Sequence, residues 1–299
     1  MSPMRAAPLL AGVLAFGLGL VACGPSVPDE ADARVSADAA TPDAATLDPD
    51  AATVDGAPAD FSLVYVHSGL MLYRLDTTDL SAVEIGPFTN LGNQTMTDIA
   101  IDKDDRMLGV TLDKIFEIDE LSGESTLRAE VEAGTPNLTS LSFVPIDLED
   151  PDGEEILVAA ADDGTVYQIE PTTGATTEIG AYGSVGDALI RSSGDIVAVR
   201  GAGIFATVTL GEPLTEPDYL ARIDPETWAA TLLSTQTSYD KIFGIGYWRG
   251  HIYGLVDLGA GAGGAIVELD ADTGAATLMD QGDVRWYGAG VTTDAPVIP

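Results

Sequence analysis

The stretch Tyr167-Gln168-Ile169-Glu170-Pro171-Thr172-Thr173-Gly174-Ala175-Thr176-Thr177 decides the fold of this chain. Apolar and polar residues alternate up to Glu170, which is the pattern of a half-buried strand, and a turn with Gly then leads into a second strand. The alternating core and its final acid occur four more times, as Tyr73-Arg74-Leu75-Asp76, Phe116-Glu117-Ile118-Asp119, Ala221-Arg222-Ile223-Asp224 and Val267-Glu268-Leu269-Asp270. Each copy predicts a strand, a tight turn and a strand.

The spacing of these copies predicts a β-propeller. Successive acids are roughly 43 to 54 residues apart, the period at which a four-stranded blade recurs. Segments with small residues at alternate positions, suited to strands crowded around an axis, precede three copies: Asp98-Ile99-Ala100-Ile101, Ser140-Leu141-Ser142-Phe143 and Gly244-Ile245-Gly246-Tyr247. The first copy lacks such a segment, and Gly288-Ala289-Gly290-Val291 near the C-terminus supplies it. We therefore expect an all-β domain over 61–299, a five-bladed propeller of four-stranded antiparallel blades that the C-terminal strand closes.

The repeat resembles the tandem repeats of bacterial propellers of the quinoprotein-like and YVTN type. Quinoprotein repeats usually carry a Trp after the Thr-Gly turn, and these five copies lack it. Trp228 instead stands where three other copies have the Gly of the turn. The resemblance therefore implies the architecture, and we expect no cofactor.

The N-terminal segment predicts export and lipidation. An apolar run from Pro8 to Ala22 follows Arg5, which is typical of a signal peptide over 1–22. It ends at Leu20-Val21-Ala22-Cys23, which resembles the lipoprotein box of bacterial lipoproteins, and Cys23 is the only cysteine of the chain. The resemblance implies that Cys23 becomes the lipidated N-terminus, carrying diacylglycerol and palmitate. The alternative is an ordinary export signal with an incidental cysteine.

Residues 23–60 predict a disordered tether. Their composition is dominated by Ala, Asp, Pro and Thr, with no aromatic residue to nucleate a core. Repeated Asp extends such a segment by self-repulsion, and Pro stiffens it. Gly24 follows Cys23 where Asp would signal inner-membrane retention in enterobacteria, so we expect a cell-envelope protein with the outer membrane favoured.

The charge of the chain limits its partners. The formal net charge is −35, with 48 acidic residues against 13 Lys and Arg. Such a field repels phosphate backbones, so we expect no nucleic acid partner. The expected partners are the lipid bilayer, through the N-terminal lipid, and an envelope or extracellular protein or glycan.

Catalytic and metal motifs are not found in the sequence. The two histidines, His67 and His251, fall in predicted strands without a third ligand nearby, and no nucleophile elbow or P-loop occurs. Asp102-Lys103-Asp104-Asp105 resembles part of a calcium loop, but it fits better as the hairpin between 99–101 and 107–110. We assign no catalytic or metal-binding residue, and calcium binding stays open.

Propeller geometry directs attention to one face. Loops that lead into the innermost strands share a face with the loops between second and third strands, and long loops of repeat proteins commonly bind partners. We expect weak binding determinants on this face, or alternatively rings that only cap the blades, from Asn93, Asn137, Tyr182, Tyr239, Lys241, Arg285 and Trp286.

The function predicted from these features is that of a non-catalytic binding or scaffolding module, displayed from a membrane. The alternative is a propeller hydrolase, lactonase-like or glycan-active, with a carboxylate or metal site on the axis. A cluster of Asp or His side chains converging on the axis would favour this alternative.

Overall fold

The structure is a computed structural model that describes residues 63–150, 153–211 and 215–293. The signal peptide over 1–22, Cys23 and the tether over 23–60 lie outside the described residues. The described chain is all-β, and none of its segments forms a helix that would be long and apolar enough to span a membrane.

Within the described ranges, twenty-one strands form five antiparallel sheets, which are the blades of a five-bladed propeller. From the innermost strand outward, blade 1 contains β21 (Gly288–Val291), β1 (Val64–His67), β2 (Met71–Leu75) and β3 (Ala82–Pro87). Blade 2 contains β4 (Asp98–Ile101), β5 (Met107–Val110), β6 (Lys114–Ile118) and β7 (Ser125–Glu130). Blade 3 contains β8 (Ser142–Pro145), β9 (Glu155–Ala160), β10 (Thr165–Ile169) and β11 (Thr176–Ala181).

Blade 4 contains β13 (Ala188–Val199), β14 (Gly203–Leu210), β15 (Tyr219–Ile223) and β16 (Ala230–Gln236). An additional short strand, β12 (Ser184–Val185), pairs with the start of β13, and the sequence pattern does not predict it. Blade 5 contains β17 (Ile242–Trp248), β18 (His251–Asp257), β19 (Gly264–Leu269) and β20 (Ala276–Gly282). The five repeat cores are the third strands β2, β6, β10, β15 and β19.

The C-terminal strand closes the ring, which confirms the prediction. β21 pairs antiparallel with β1, with Val64 opposite Val291 and His67 opposite Gly288. Blade 1 is therefore built from strands at both ends of the domain. Because β21 and β1 pair with each other, β1 is not left as an open edge at the axis.

The acid at the end of each third strand organises the following turn. In the fifth copy the carbonyl of Asp270 accepts a hydrogen bond from Gly274 N–H over 2.8 Å, and its carboxylate accepts three more from Asp272 and Thr273. Gly274 has a φ of 81°, the left-handed region that favours glycine. Trp228 occupies the same turn position with a φ of 61° and is held there by packing, since its ring is buried. The repeated acid is thus a turn determinant.

The hydrophobic core consists of five clusters, one at each interface between neighbouring blades. The cluster between blades 1 and 5, for example, contains Val66 of β1 and Trp248 of β17, both fully buried. Near the axis the strands approach so closely that a Cβ added at Gly244 would lie 2.6 Å from the backbone of Gly288. Small residues in the innermost strands are therefore a steric requirement, as the sequence pattern predicts.

Candidate functional site

The innermost strands present equivalent positions around the propeller axis, at the end where these strands begin. We call this end the upper face and the opposite end the lower face. Asp98 at the start of β4 accepts a hydrogen bond from Leu141 N–H of blade 3 over 2.8 Å, and Asp195 in β13 accepts one from Ile245 N–H of blade 5 over 3.1 Å. Each carboxylate bonds to the residue that follows the equivalent position in the next blade. These five positions form the axial ring, which consists of Asp98, Ser140, Asp195, Gly244 and Gly288.

The two acids of the axial ring hydrogen-bond to each other. Their blades are not neighbours, because blade 3 lies between blades 2 and 4, so the carboxyl groups meet across the axis. Asp98 is 0% exposed and Asp195 is 1% exposed. Burial, with the nearby Asp195 adding to it, raises the pKa of Asp98 well above its usual range, and burial raises the pKa of Asp195 to about 8. The pair therefore holds a proton at neutral pH, which avoids two charged carboxylates in contact.

A buried histidine lies beside this pair. The Nε2 atom of His67 is 4.0 Å from Oδ1 of Asp98, and both side chains are almost completely buried. Nδ1 of His67 accepts a hydrogen bond from Gly69 N–H over 3.0 Å, so Nε2 carries the proton of the neutral ring. Burial lowers the pKa of His67 to about 3. Gly288 makes room for this contact, since a Cβ there would lie 2.3 Å from His67 Nε2 and 2.4 Å from Asp98 Oδ1.

A third buried carboxyl lies between blades 4 and 5. Asp218 is 0% exposed, and its Oδ2 atom accepts a hydrogen bond from Ile242 N–H over 2.9 Å. Burial raises the pKa of Asp218 to about 7, and the bond from Ile242 and the nearby hydroxyl of Ser193 partly offset that increase. Neither Oδ1 of Asp218 nor Oγ of Ser193 completes a hydrogen bond among the described residues. The Ser193 hydroxyl and the Asp218 carboxyl therefore lie near each other without a well-formed hydrogen bond between them.

A cavity of about 480 Å³ opens on the upper face beside the axial ring. This volume lies within the range of ligand-binding pockets. Every blade contributes to its wall, mostly through residues one to three positions before the axial ring: Tyr287 from blade 1, Thr95, Met96 and Thr97 from blade 2, Thr139 and Asp162 from blade 3, Arg191, Ser192 and Ser193 from blade 4, and Phe243 from blade 5. The wall combines hydroxyl groups, two charged side chains of opposite sign and two aromatic rings.

The seven binding residues predicted from the sequence all lie in loops between an outermost strand and the next innermost strand, on the upper face. Asn93 and Asn137 are exposed, and Tyr239 is half-buried. Tyr182 and Trp286 are 1% and 6% exposed and belong to the clusters between blades 3 and 4 and between blades 5 and 1. These two rings cap the blades, which is the other interpretation that the sequence leaves open.

The two cations among the predicted binding residues have partners within the chain. Arg285 forms two hydrogen bonds of 2.6 Å to the carboxylate of Asp257, which is 3% exposed. The bonds from Arg285 hold the pKa of Asp257 below its usual range against the effect of burial. Lys241 Nζ lies 2.9 Å from Oδ2 of Asp240. None of the seven predicted residues lines the axial cavity, which is formed by their neighbours in the same loops.

In the acidic hairpin over 102–105, the carboxylate of Asp102 is occupied by hydrogen bonds from the hairpin itself and from Arg106. Oδ1 of Asp102 accepts hydrogen bonds from the N–H groups of Asp104 and Arg106 over 3.0 and 2.8 Å, and Arg106 Nε bonds to Oδ2 over 3.0 Å. Among the described ranges, no three His, Cys, Asp or Glu side chains are grouped as metal ligands.

Asp98, Asp195 and Asp218 are not among the residues predicted from the sequence. The sequence signal that could have identified Asp98 is its position. The equivalent segments begin with the small residues Ser140, Gly244 and Gly288. An acid at such a crowded position needs a partner. The fourth segment, Gly194-Asp195-Ile196-Val197, is the one that the alternation of small residues does not reveal.

Comparison with known proteins yields a likeness of structure only. No family model matches the sequence, and no curated protein matches it. A protein of unknown function from Bacteroides thetaiotaomicron VPI-5482 is 12% identical, with 76% of this chain and 60% of that chain covered and a TM-score of 0.46. BamB from Moraxella catarrhalis is 11% identical, with 73% and 69% covered and a TM-score of 0.35. A symmetrical protein from a study of de novo evolutionary emergence is 15% identical, with 77% and 98% covered and a TM-score of 0.45.

Proposed function

We propose that this protein is a lipid-anchored envelope protein whose propeller is a non-catalytic binding module. The observation that carries the proposal is the axial cavity, because all five blades contribute side chains to one concave site on the upper face. A concave site with aromatic walls and a few polar groups is the usual form of a binding pocket. The exposed loops around it, which include Asn93 and Asn137, extend the surface available to a partner.

The anchoring part of the proposal depends on the sequence. Leu20-Val21-Ala22-Cys23 supplies the thiol for lipidation, and residues 23–60 supply a tether that displays the propeller away from the bilayer. We place the protein in the outer membrane because Gly24 follows the lipidated cysteine. Its partner is then an envelope or extracellular protein or glycan.

A second candidate function, hydrolysis by carboxylates on the axis, is favoured by the contact between Asp98 and Asp195. The burial of the pair favours a structural role instead, since neither side chain lines the cavity. In addition, four backbone N–H groups occupy their oxygens, those of Ile99, Leu141, Ile196 and Ile245. Binding is therefore the function that the geometry supports best.

Fractionation of cells tests the anchor. We expect the intact protein in the outer-membrane fraction and Cys23→Ser in the soluble envelope fraction, with labelled palmitate incorporated only by the intact protein. Membrane retention of Cys23→Ser would contradict lipid anchoring.

Assay of the intact protein against lactone and nitrophenyl glycoside substrates tests the second candidate, hydrolysis. Turnover that is lost in a folded Asp195→Asn variant would support hydrolysis over binding.

A further inference from the structure

Arg191 is a cation of the axial cavity, and no carboxylate of the described residues forms an ion pair with it. It lies in β13, half-buried in the cavity wall, and forms no ion pair within 4 Å among the described residues. The chain has 48 acidic residues against 13 Lys and Arg, and Arg106, Arg128, Arg200 and Arg285 each have a carboxylate partner. An arginine left unpaired in such an acidic chain, inside a cavity, is free to bind an anionic group of a ligand.

A second observation in the same wall also indicates a ligand. Ser193, two residues along β13 from Arg191, is 5% exposed, and its hydroxyl lies near the buried carboxyl of Asp218 but completes no hydrogen bond among the described residues. The neighbouring hydroxyls are satisfied, because Thr139 donates to Ser192 over 2.9 Å and Ser192 donates to Gly194 O over 3.1 Å. A buried hydroxyl whose hydrogen bond is incomplete is unfavourable, and a ligand atom in the cavity would complete it.

Part of the cavity wall is apolar. The rings of Phe243 and Tyr287 lie with centroids 5.6 Å apart and an angle of 39° between their planes, and Met96 adds a thioether surface. These groups favour contact with an apolar or aromatic part of a ligand. The cavity therefore offers a charged end and an apolar wall to one small molecule.

We propose that the axial cavity binds a small organic monocarboxylate, with its carboxylate on Arg191 and its apolar part against Phe243 and Tyr287. The guanidinium matches a carboxylate through two parallel hydrogen bonds. A single negative charge is specified because Asp162 also lines the cavity and the chain as a whole is strongly anionic, so that a dianion is repelled. This assignment rests on the proposed function and adds to it, because it names a small ligand for the cavity, while the exposed loops around the cavity contact the protein or glycan partner.

Calorimetric titration of the full-length protein in detergent tests the assignment with two probes that share a phenylethyl group. 3-Phenylpropionate carries the carboxylate, and 3-phenylpropanol replaces it with a neutral hydroxyl. We expect the acid to bind about tenfold more tightly than the alcohol or better, the difference expected for hydrogen bonds to a charged group. Arg191→Gln should abolish this difference. Arg74→Gln, which removes an exposed arginine of β2 that lies outside the cavity, should preserve it.

Equal binding of the two probes would overturn the assignment, and so would a preference for the acid that survives in Arg191→Gln. The assignment would also be overturned if neither probe binds at millimolar concentration. If both probes fail to bind, the proposed binding module is still tested separately, by crosslinking a partner in cells to a residue on the rim of the cavity. The two proposals can therefore fail independently.

Discussion

Asp98 and Asp195 hydrogen-bond to each other across the axis of the propeller, from equivalent positions in blades 2 and 4. Each of the two also bonds to the backbone of the next blade, so the pair links blades 2, 3, 4 and 5 at the axis. The link depends on a proton, because the contact is favourable when at least one carboxyl is neutral and repulsive when both are charged.

The stability of the fold should therefore fall as the pH rises from 6.5 to 8. Burial raises the pKa of Asp195 to about 8 and that of Asp218 to about 7, whereas an unfolded Asp titrates near 4, so the folded state binds more protons in this window. His67, whose pKa is lowered to about 3, has the opposite effect, but mainly below pH 6.5. We expect urea unfolding to show a loss on the order of 2 kcal/mol over the window.

Asp98→Asn provides the control for this prediction. The amide cannot be ionised, so the shared proton is lost and the slope of stability against pH between 6.5 and 8 should become smaller. A free energy of unfolding that stays constant or rises with pH in the intact protein would contradict a buried protonated pair.

Gly288→Ala should destabilise the domain strongly. Its Cβ would lie 2.3 Å from His67 Nε2 and 2.4 Å from Asp98 Oδ1, in a region where no side chain is free to move away. We expect a loss of about 1 to 3 kcal/mol or more. Gly282→Ala is the matched control, because a Cβ there meets nothing within 4 Å. Equal melting temperatures of the two variants would show that the axis is less tightly packed than described.

Removal of β21 should prevent cooperative folding. A chain that ends at Trp286 lacks the partner of β1, and blade 1 loses the innermost strand that contacts β4 of blade 2 and β17 of blade 5. A chain that ends at Thr293 retains every strand pairing of the described residues and serves as the control. Differential scanning calorimetry should show a single sharp transition for the longer chain only. A sharp transition at the same temperature for the shorter chain would disprove closure by the C-terminal strand.

Arg285→Ala should lower the melting temperature more than Arg128→Ala does. Arg285 satisfies the carboxylate of Asp257, which is 3% exposed, whereas Arg128 and Glu117 form an exposed pair on the blade edge. Loss of a partner leaves a buried acid unsatisfied in the first case and a solvated acid in the second. If both variants melt at the same temperature, Arg285 is not required for blade packing, and its proposed role in partner binding would gain support.

The blades were predictable because each third strand ends in an acid that organises the next turn, and this local arrangement leaves a repeated pattern in the sequence. Closure was predictable from the displaced segment Gly288-Ala289-Gly290-Val291. The contact between Asp98 and Asp195 was not, because only the closed ring brings these distant segments together. The bulge between Ser192 and Ile196 also interrupts the register of β13, which obscures the fourth innermost segment.

The burial of Tyr182 and Trp286 illustrates a similar limit. Topology places their loops on the upper face, but whether a ring in such a loop contacts a partner or caps a blade depends on packing between blades, which a single sequence does not reveal. Thr95 and Tyr287, which line the cavity on the same face, are better probes of function than Tyr182 and Trp286.

Photo-crosslinking in intact cells tests whether the upper face around the axial cavity binds a partner. p-Benzoylphenylalanine is placed at Thr95, on the rim of the cavity before β4, or at Asp104, an exposed residue after the same strand on the lower face. We expect a discrete crosslinked species from Thr95 and none from Asp104. No crosslink from Thr95 in cells that display the protein, or the same species from both positions, would contradict binding on this face.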